Sequence, residues 1–243
     1  MAKVATQAFQ TPLGEVWLSG EPQAFTDGRP VVLAIAGAFA PSDAFDQLAL
    51  RLPQAAVFVA HLPGNRCPWL VANSIGSFAT AYGHALDQLA RPAVVCGSSV
   101  GALVAMGLRS SRLKGLVVLE PPLRTAKLWP LIPRLRALLR DGADAETANF
   151  VWSVFGVSDD AVEERDYAAL LDRLRTPTWC ILGEAPLLPP RAVSPDPSYV
   201  DEPERALLRA HPAIRIQVAP SVGHNVQGEA GQLVMAAIRN LLG

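Results

Sequence analysis

Short apolar runs recur along the chain and alternate with longer stretches in which apolar residues return every three or four positions. Most of the runs are continuously apolar, which is typical of parallel strands that are covered on both faces. This pattern predicts strands at residues 31–35, 56–60, 94–96, 116–119, 178–182 and 214–218. A weaker run at residues 14–19 predicts an N-terminal strand or hairpin.

Stretches between these strands carry their apolar residues on a single helical face. The spacing predicts a helix near residues 45–52, a second over residues 75–89 and a third at residues 233–241. Strands that alternate with helices in this way predict right-handed crossovers. We therefore expect the α/β fold class, with a mostly parallel sheet flanked by helices.

One segment, residues 123–172, breaks the alternation because it has no strand signal. Its apolar spacing predicts three helices, at about residues 128–139, 148–155 and 167–174. Pro130 and Pro133 are expected near the start of the first one. Because open α/β sheets bind ligands beyond the carboxyl ends of their strands, we interpret the segment as an all-helical cap. Residues 1–122 and 173–243 then form the core.

The composition narrows the class of protein. The chain has 243 residues, of which 50% are hydrophobic, and a net charge of −1, as expected for a globular protein with one sizeable core. Without a basic excess or a long apolar run, neither nucleic acid nor a membrane is expected as a partner. Three cysteines make no disulfide framework, no pair of them has metal-ligand spacing, and the N-terminus lacks the apolar core of a signal peptide. We therefore expect a cytoplasmic protein.

The most informative motif follows the strand at residues 94–96. Gly97-Ser98-Ser99-Val100-Gly101 reads G-x-S-x-G, and helix-forming residues come after it. A serine at a sharp strand-to-helix turn has its hydroxyl pushed out of the backbone, where a histidine can reach it, and the two glycines allow the turn. The start of the helix offers unpaired N–H groups to a developing negative charge. Ser99 is therefore the candidate nucleophile.

His224 is the candidate base, because it combines a glycine-flanked loop with the end of the last predicted strand. It closes the segment Ser221-Val222-Gly223-His224, which precedes the C-terminal helix. Together with the serine turn, this segment makes the chain resemble the α/β-hydrolase superfamily, in its serine-nucleophile branch with a helical cap. The resemblance extends over nearly the whole chain in element order. It implies that nucleophile, acid and base follow one another along the sequence.

The resemblance implies an acid that is usually an aspartate shortly after Gly183, and this chain has none there. Glu120 is our first choice, because some members of the family carry the acid at the end of the preceding strand. A charged residue after four apolar ones also needs a partner. Glu184 is the second choice. Asp196 and Asp201 are weaker candidates, since they lie in a Pro-rich, charged stretch that we expect to be exposed.

An oxyanion hole of two backbone N–H groups is also implied by the resemblance. One donor is Val100, which follows the candidate nucleophile. The other comes from the loop after residues 31–35, where Ala38 is the first choice and Phe39 the next. Many relatives carry His-Gly in this loop and this chain carries Ala36-Gly37. Because the donor is a backbone amide, the missing histidine side chain does not remove it.

Four aromatic residues are candidates for an apolar substrate pocket under the cap: Phe39, Trp129, Trp152 and Phe155. We predict a serine hydrolase that cleaves an ester, thioester or similar acyl bond of a small molecule through an acyl-enzyme, without a metal or organic cofactor. One alternative is C–C bond hydrolysis, lyase or acyl-transfer chemistry on the same fold. Another is a non-hydrolytic, ligand-binding or degenerate member, which the missing aspartate and the altered loops motivate.

Overall fold

The computed structural model describes residues 4–40, 45–64, 67–186 and 196–243, and these residues form one eight-stranded sheet. Its strands are β1 (Ala5–Thr11), β2 (Gly14–Gly20), β3 (Val31–Ile35), β4 (Ala56–His61), β5 (Ala93–Ser98), β6 (Leu113–Leu119), β7 (Thr178–Gly183) and β8 (Ile214–Ala219). The order across the sheet is β1-β2-β4-β3-β5-β6-β7-β8. The pairs β1–β2 and β2–β4 are antiparallel and the others are parallel. The predicted fold class is confirmed.

The burial pattern of each strand explains why its sequence did or did not predict it. Every side chain of β3 is buried, as its uninterrupted apolar sequence predicts. The weak signal at residues 14–19 corresponds to β2, which pairs with β1 in a hairpin from Ala5↔Gly20 to Thr11↔Gly14. The sequence pattern missed β1 because this edge strand is mostly polar and buries only Phe9.

Helices cover both faces of the sheet. They are α1 (Asp46–Arg51), α2 (Ile75–Leu89), α3 (Val100–Gly107), α4 (Ile132–Arg140), α5 (Ala145–Phe155), α6 (Glu202–Ala210), α7 (Val226–Glu229) and α8 (Gly231–Leu242). The apolar faces of α1, α7 and α8 pack in one core layer, and those of α2, α3, α5 and α6 pack in the other. The predicted helices at residues 45–52, 75–89 and 233–241 are present as α1, α2 and α8. None of the helices in the described ranges is long and apolar enough to cross a bilayer.

Between β6 and β7 the chain is helical, as predicted, but the helices differ in two details. The first predicted helix is divided into a 3₁₀ helix (Thr125–Leu131) and α4, because Pro130 lies inside the former and Pro133 in the first turn of the latter. The last predicted helix is a 3₁₀ helix (Ala168–Arg173). The prediction for residues 148–155 corresponds to α5.

Parallel register brings the candidate residues to one edge of the sheet. Ser98 pairs with Leu119 between β5 and β6, so Ser99 and Glu120 leave neighbouring strands at the same edge. The strands β7 and β8 run parallel to them, and the loop after β8 carries His224 back to this edge. The fold thus collects residues that are far apart in sequence at the carboxyl ends of the strands.

Candidate active site

Ser99 forms a sharp elbow between β5 and α3, with φ 53° and ψ −119°. A positive φ is strained for a residue with a side chain, and two glycines make room for the turn. A Cβ at Gly97 would lie 2.2 Å from the carbonyl oxygen of Gly101, and a Cβ at Gly101 would lie 2.1 Å from that of Ile35. The Ser99 N–H donates to the Leu119 carbonyl at 2.9 Å. The elbow is therefore held against β6, with Ser99 partly exposed.

The loop after β3 runs directly beside this serine. A Cβ at Gly37 would lie 3.3 Å from Ser99 Cβ and 3.9 Å from its Oγ. The Gly37 carbonyl accepts a backbone hydrogen bond that closes a four-residue turn, in which Phe39 has φ 58°. Ala38 lies inside that turn. Val100 is the first residue of α3, so its N–H has no acceptor within the helix. The two predicted oxyanion donors therefore belong to segments that meet at Ser99.

Glu120 follows β6 and is fully buried, which is costly for a carboxylate unless donors surround it. Its Oε1 accepts hydrogen bonds from Gly183 N at 2.7 Å and from Ser198 Oγ at 2.8 Å, and its Oε2 accepts one from Tyr199 N at 3.1 Å. The backbone is fixed as well, with φ 50° and an N–H that donates to the Ile181 carbonyl at 3.1 Å. Three donors thus converge on two carboxylate oxygens, an arrangement that suits the ionised form.

The imidazole of His224 faces this carboxylate, with Nδ1 3.4 Å from Glu120 Oε2. This distance is long for a hydrogen bond between an imidazole nitrogen and a carboxylate. The His224 backbone N–H donates to the Asp196 carbonyl at 2.9 Å, and the ring packs on Tyr199 with 4.7 Å between centroids. A carboxylate at Nδ1 favours the neutral tautomer with its hydrogen on Nδ1, which leaves Nε2 able to take a proton.

Glu184, the second choice for the acid, has a different partner. Its side chain is exposed, and Oε2 accepts a hydrogen bond from the backbone N–H of Ser221 at 2.9 Å. This bond braces the loop that leads to His224. Of the two glutamates, the structure brings Glu120 to the imidazole.

Sequence reasoning missed a contact that joins the elbow to the segment of the histidine. The buried hydroxyl of Ser98 donates to Gln227 Oε1 at 2.9 Å. Ser98 directly precedes Ser99, and Gln227 lies on α7, just after His224. The bond therefore restrains the separation of the two segments that carry the candidate nucleophile and base. A pair formed by residues this far apart in sequence leaves no periodic signal.

The Pro-rich, charged stretch around Asp196 and Asp201 supplies two of the donors to Glu120. Ser198, Tyr199 and Val200 are 1%, 2% and 1% exposed, so the expectation of an exposed stretch is wrong at these positions. It holds for Asp196, whose side chain is 44% exposed. The physical reason is the buried carboxylate, whose oxygens need donors that only a buried segment can supply.

The four aromatic residues predicted for a pocket fall into two groups. Phe39 and Phe155 both contact the buried Phe150, edge-on, with centroids 5.5 Å and 6.2 Å away. Trp152 lies under the guanidinium of Arg165 at 5.0 Å and is 37% exposed, and Trp129 is 51% exposed. The structure therefore brings Phe39 and Phe155 together around one ring, on which Phe78 and Trp69 also pack.

The carboxyl ends of the strands carry a serine at an elbow, two segments with backbone donors, and a histidine backed by a buried carboxylate. These are the parts that acyl transfer through a serine requires. Within the described ranges, no three His, Cys, Asp or Glu side chains are arranged to hold a metal ion. The thiols of Cys96 and Cys180 are buried, and burial raises the pKa of Cys96 to about 12, so it is a poor nucleophile.

Fold and site together define an α/β hydrolase. The sequence matches the alpha/beta hydrolase family over residues 24–237, and the chain belongs to this family. Membership confirms the resemblance read from the sequence and the expectation that the protein is an enzyme of the hydrolase type.

Solved structures share the fold at low sequence identity. The carboxylesterase CesB from Bacillus subtilis has a TM-score of 0.70 and 12% identity, over 99% of this chain and 92% of the esterase. Naproxen esterase from Bacillus subtilis has a TM-score of 0.69 and 15% identity, over 100% and 92%. An esterase from Thermogutta terrifontis has a TM-score of 0.65 and 20% identity, over 99% and 98%. The comparison with curated proteins found no match.

Proposed function

We propose that the protein is a serine hydrolase, with Ser99 as nucleophile, His224 as general base and Glu120 as the acid that orients the base. The observation that carries this proposal is the contact of 3.4 Å between His224 Nδ1 and Glu120 Oε2. The same carboxylate is held by three protein donors and is fully buried. An imidazole backed by a fixed anion is the arrangement that activates a serine hydroxyl.

In the first half-reaction, Ser99 Oγ attacks the carbonyl carbon of the substrate while His224 Nε2 takes the hydroxyl proton. The carbonyl electron pair moves to oxygen, and Glu120 stabilises the imidazolium that forms. When the tetrahedral intermediate collapses, the bond to the leaving group breaks. His224 returns the proton to the departing alcohol or thiol, which leaves the acyl group as an ester on Ser99.

In the second half-reaction, water takes the place of the leaving group. His224 Nε2 accepts a proton from the water as its oxygen attacks the acyl carbon, and a second tetrahedral intermediate forms. Collapse breaks the bond to Ser99 Oγ, which regains its proton from His224. The products are a carboxylic acid and the free enzyme.

The oxyanion of both intermediates would be held by the backbone N–H groups of Val100 and Ala38. Each such donor typically contributes about 3 kcal/mol of transition-state stabilisation. Gly37 supports this role, because a Cβ at this position would lie 3.3 Å from Ser99 Cβ and crowd the space that the reacting carbonyl needs.

The substrate class we propose is an ester or thioester of a small molecule with an apolar acyl group. Phe39 directly follows Ala38, and its ring contacts Phe150, so aromatic surface begins beside the proposed oxyanion hole. Phe150 and Phe155 belong to α5, which supports the interpretation of residues 123–172 as a cap. That structures of the same fold include esterases supports the choice of bond.

Treatment with a small fluorophosphonate, followed by the mass of the intact protein, tests the proposal. We expect one stoichiometric adduct on the wild type and none on Ser99→Ala. The labelled serine also has to be identified by peptide mass, because Ser98 is adjacent. A folded wild type that takes no adduct, or an adduct that persists on Ser99→Ala, would contradict the proposal. Turnover of esters and thioesters of increasing acyl length then identifies the bond and the pocket.

A further inference from the structure

Arg205, on α6, extends its guanidinium into the segment that holds Glu120. Its Nε donates to the Val200 carbonyl at 2.8 Å, and its Nη2 donates to the Gly183 carbonyl at 2.6 Å and to Ser198 Oγ at 3.1 Å. The two hydrogens of Nη2 serve these two acceptors. One planar group therefore joins the end of β7 to residues 198–200.

The hydroxyl of Ser198 has one hydrogen and two lone pairs. Its oxygen accepts from Arg205 Nη2 at 3.1 Å and from the Val200 N–H at 3.3 Å, so both lone pairs are engaged. The remaining hydrogen has two acceptors within reach, Glu120 Oε1 at 2.8 Å and the Val200 carbonyl at 3.3 Å. The shorter distance and the charge of the carboxylate favour donation to Glu120.

We propose that Arg205 is a positioning residue of the candidate active site, which acts through Ser198 to hold Glu120 ionised and in one orientation. The inference rests on the proposed function, because the orientation of Glu120 matters for the reaction only if His224 is the base. Arg205 reaches the carboxylate through an intermediate hydroxyl, so its effect is on the geometry and charge of the acid.

A glutamate needs such restraint more than an aspartate does, because its longer side chain has one more rotatable bond. Gly183 shows how the restraint is built: its N–H donates to Glu120 Oε1, while its carbonyl accepts from Arg205. The guanidinium also brings a permanent positive charge close to a carboxylate that is shielded from solvent, where charges interact more strongly than in water.

The other ionisable groups that face Glu120 from nearby elements do not supply a positive charge. Burial raises the pKa of Cys180 on β7, and it raises the pKa of Tyr199 as well, so both stay protonated and uncharged near neutral pH. Asp196 and Arg134 form a partly exposed ion pair at 3.5 Å, farther out. Neither Cys180 nor Tyr199 can therefore replace the positive charge that Arg205 supplies.

The test compares Arg205→Gln with Arg205→Lys, and it measures the rate of fluorophosphonate labelling from about pH 4 to about pH 9. Without the nearby cation, the Glu120 carboxylate loses a favourable charge interaction and the His224 imidazolium is relieved of an unfavourable one. For Arg205→Gln we therefore expect the acid limb of the profile to move up by about one pH unit and the plateau rate to fall about tenfold. Arg205→Lys keeps the charge, so its acid limb should stay close to that of the wild type.

Arg209→Gln is the matched control, because Arg209 lies on the same helix and forms an exposed pair with Glu202 at 3.0 Å. Its profile should match the wild type. If Arg205→Gln keeps the wild-type acid limb, whatever happens to its plateau or thermal midpoint, Arg205 is merely structural and the inference is overturned.

Ser198→Ala provides a second route to the answer if Arg205→Gln does not fold, because it removes a single hydroxyl. It should move the acid limb in the same direction, and an unmoved limb would overturn the inference as well. Failure of the proposed function looks different: the wild type takes no adduct at any pH, and both proposals then fall together.

Discussion

Glu120 and Glu204 are both fully buried, yet their surroundings have little in common. Both oxygens of Glu120 accept hydrogen bonds, and an imidazole faces one of them. In Glu204, Oε1 accepts from the backbone N–H of Arg124 at 2.9 Å, and Oε2 is buried with no hydrogen-bond partner among the residues that the structure describes. The comparison separates the burial of a carboxyl group from its solvation by the protein.

The difference in hydrogen bonding affects whether each of the two carboxyl groups is ionised. Burial raises the pKa of Glu204 to about 7, the nearby Asp201 adds to the rise, and Lys127 opposes it. Glu204 therefore takes up a proton close to neutral pH. On Glu120, hydrogen-bond donors already face both carboxylate oxygens, so an added proton would point at one of those donors. Of the two, the carboxylate that the proposed mechanism needs as an anion is the one with the donors.

The two glutamates are also connected through α6. Glu204 lies on this helix and holds the chain at Arg124, where the segment between β6 and β7 begins. Arg205, the next residue, reaches toward the Glu120 site from the same helix. One turn of α6 thus contacts the start of the proposed cap through Glu204 and, through Arg205, the Ser198 hydroxyl that donates to the proposed acid.

The largest expected effect comes from replacing Glu120 and Glu204 with glutamine, one at a time. Glu120→Gln should lower kcat/KM for an ester by about 1,000-fold or more, because a neutral amide neither holds the imidazole tautomer nor stabilises the imidazolium. Glu204→Gln should change kcat/KM by less than about threefold. Glu184→Gln is the control for a carboxylate near the His224 loop. Equal, small losses in Glu120→Gln and Glu184→Gln would remove Glu120 from the mechanism.

The second-largest expected effect is on the stability of the folded protein as a function of pH. The pKa of Glu204 in the folded protein, about 7, lies above the 4.5 of a free glutamate. The folded state therefore binds this proton more tightly, and its contribution to stability is complete below about pH 4.5 and is lost as the pH rises through about 7. Glu204→Gln removes this loss, which is about 3 kcal/mol, since each tenfold difference in proton affinity between the folded and unfolded states is worth about 1.4 kcal/mol. Its thermal midpoint should gain about 5 °C on the wild type between pH 5 and pH 8.

Glu202→Gln is the control for this measurement, because Glu202 lies on the same helix with its side chain 72% exposed. Its thermal midpoint should follow the wild type at every pH. A difference between Glu204→Gln and the wild type that stays constant from pH 5 to pH 8 would mean that Glu204 does not titrate in this range.

Much of this arrangement was predictable from local patterns. Uninterrupted apolar runs predict the parallel strands. Because the ends of parallel strands meet at one edge, the places of Ser99, Glu120 and His224 after strands make them candidates. A charge that follows a buried strand, as Glu120 does, needs a partner. Its contact with His224 is the kind of partner that this reasoning expected.

What escaped prediction depends on contacts between distant residues. Ser198 and Glu120 are 78 residues apart in sequence, and Ser98 and Gln227 are 129 residues apart. Neither contact produces a periodic pattern in the sequence. The sequence of α6 does carry local helix signals, since Asp201 caps it and Pro203 lies in its first turn. The prolines and charges nearby suggested exposure, and tertiary contacts with the acid decided otherwise.

The smallest effect should come from Lys127, the cation that opposes the rise in the pKa of Glu204. Its ammonium pairs with Asp201 at 2.5 Å, and both side chains are about one-third exposed, so the pair is worth less than about 1 kcal/mol. Lys127→Gln should lower the thermal midpoint by about 1 to 2 °C. It should also extend the stability loss of Glu204 to higher pH, because removing a cation favours the protonated acid. In the Glu204→Gln background only the pH-independent part of this effect should remain. If the pH-dependent part persists there, Glu204 is not the group that titrates. The contrast between the two buried glutamates would then rest on their hydrogen bonds alone and not on a difference in protonation.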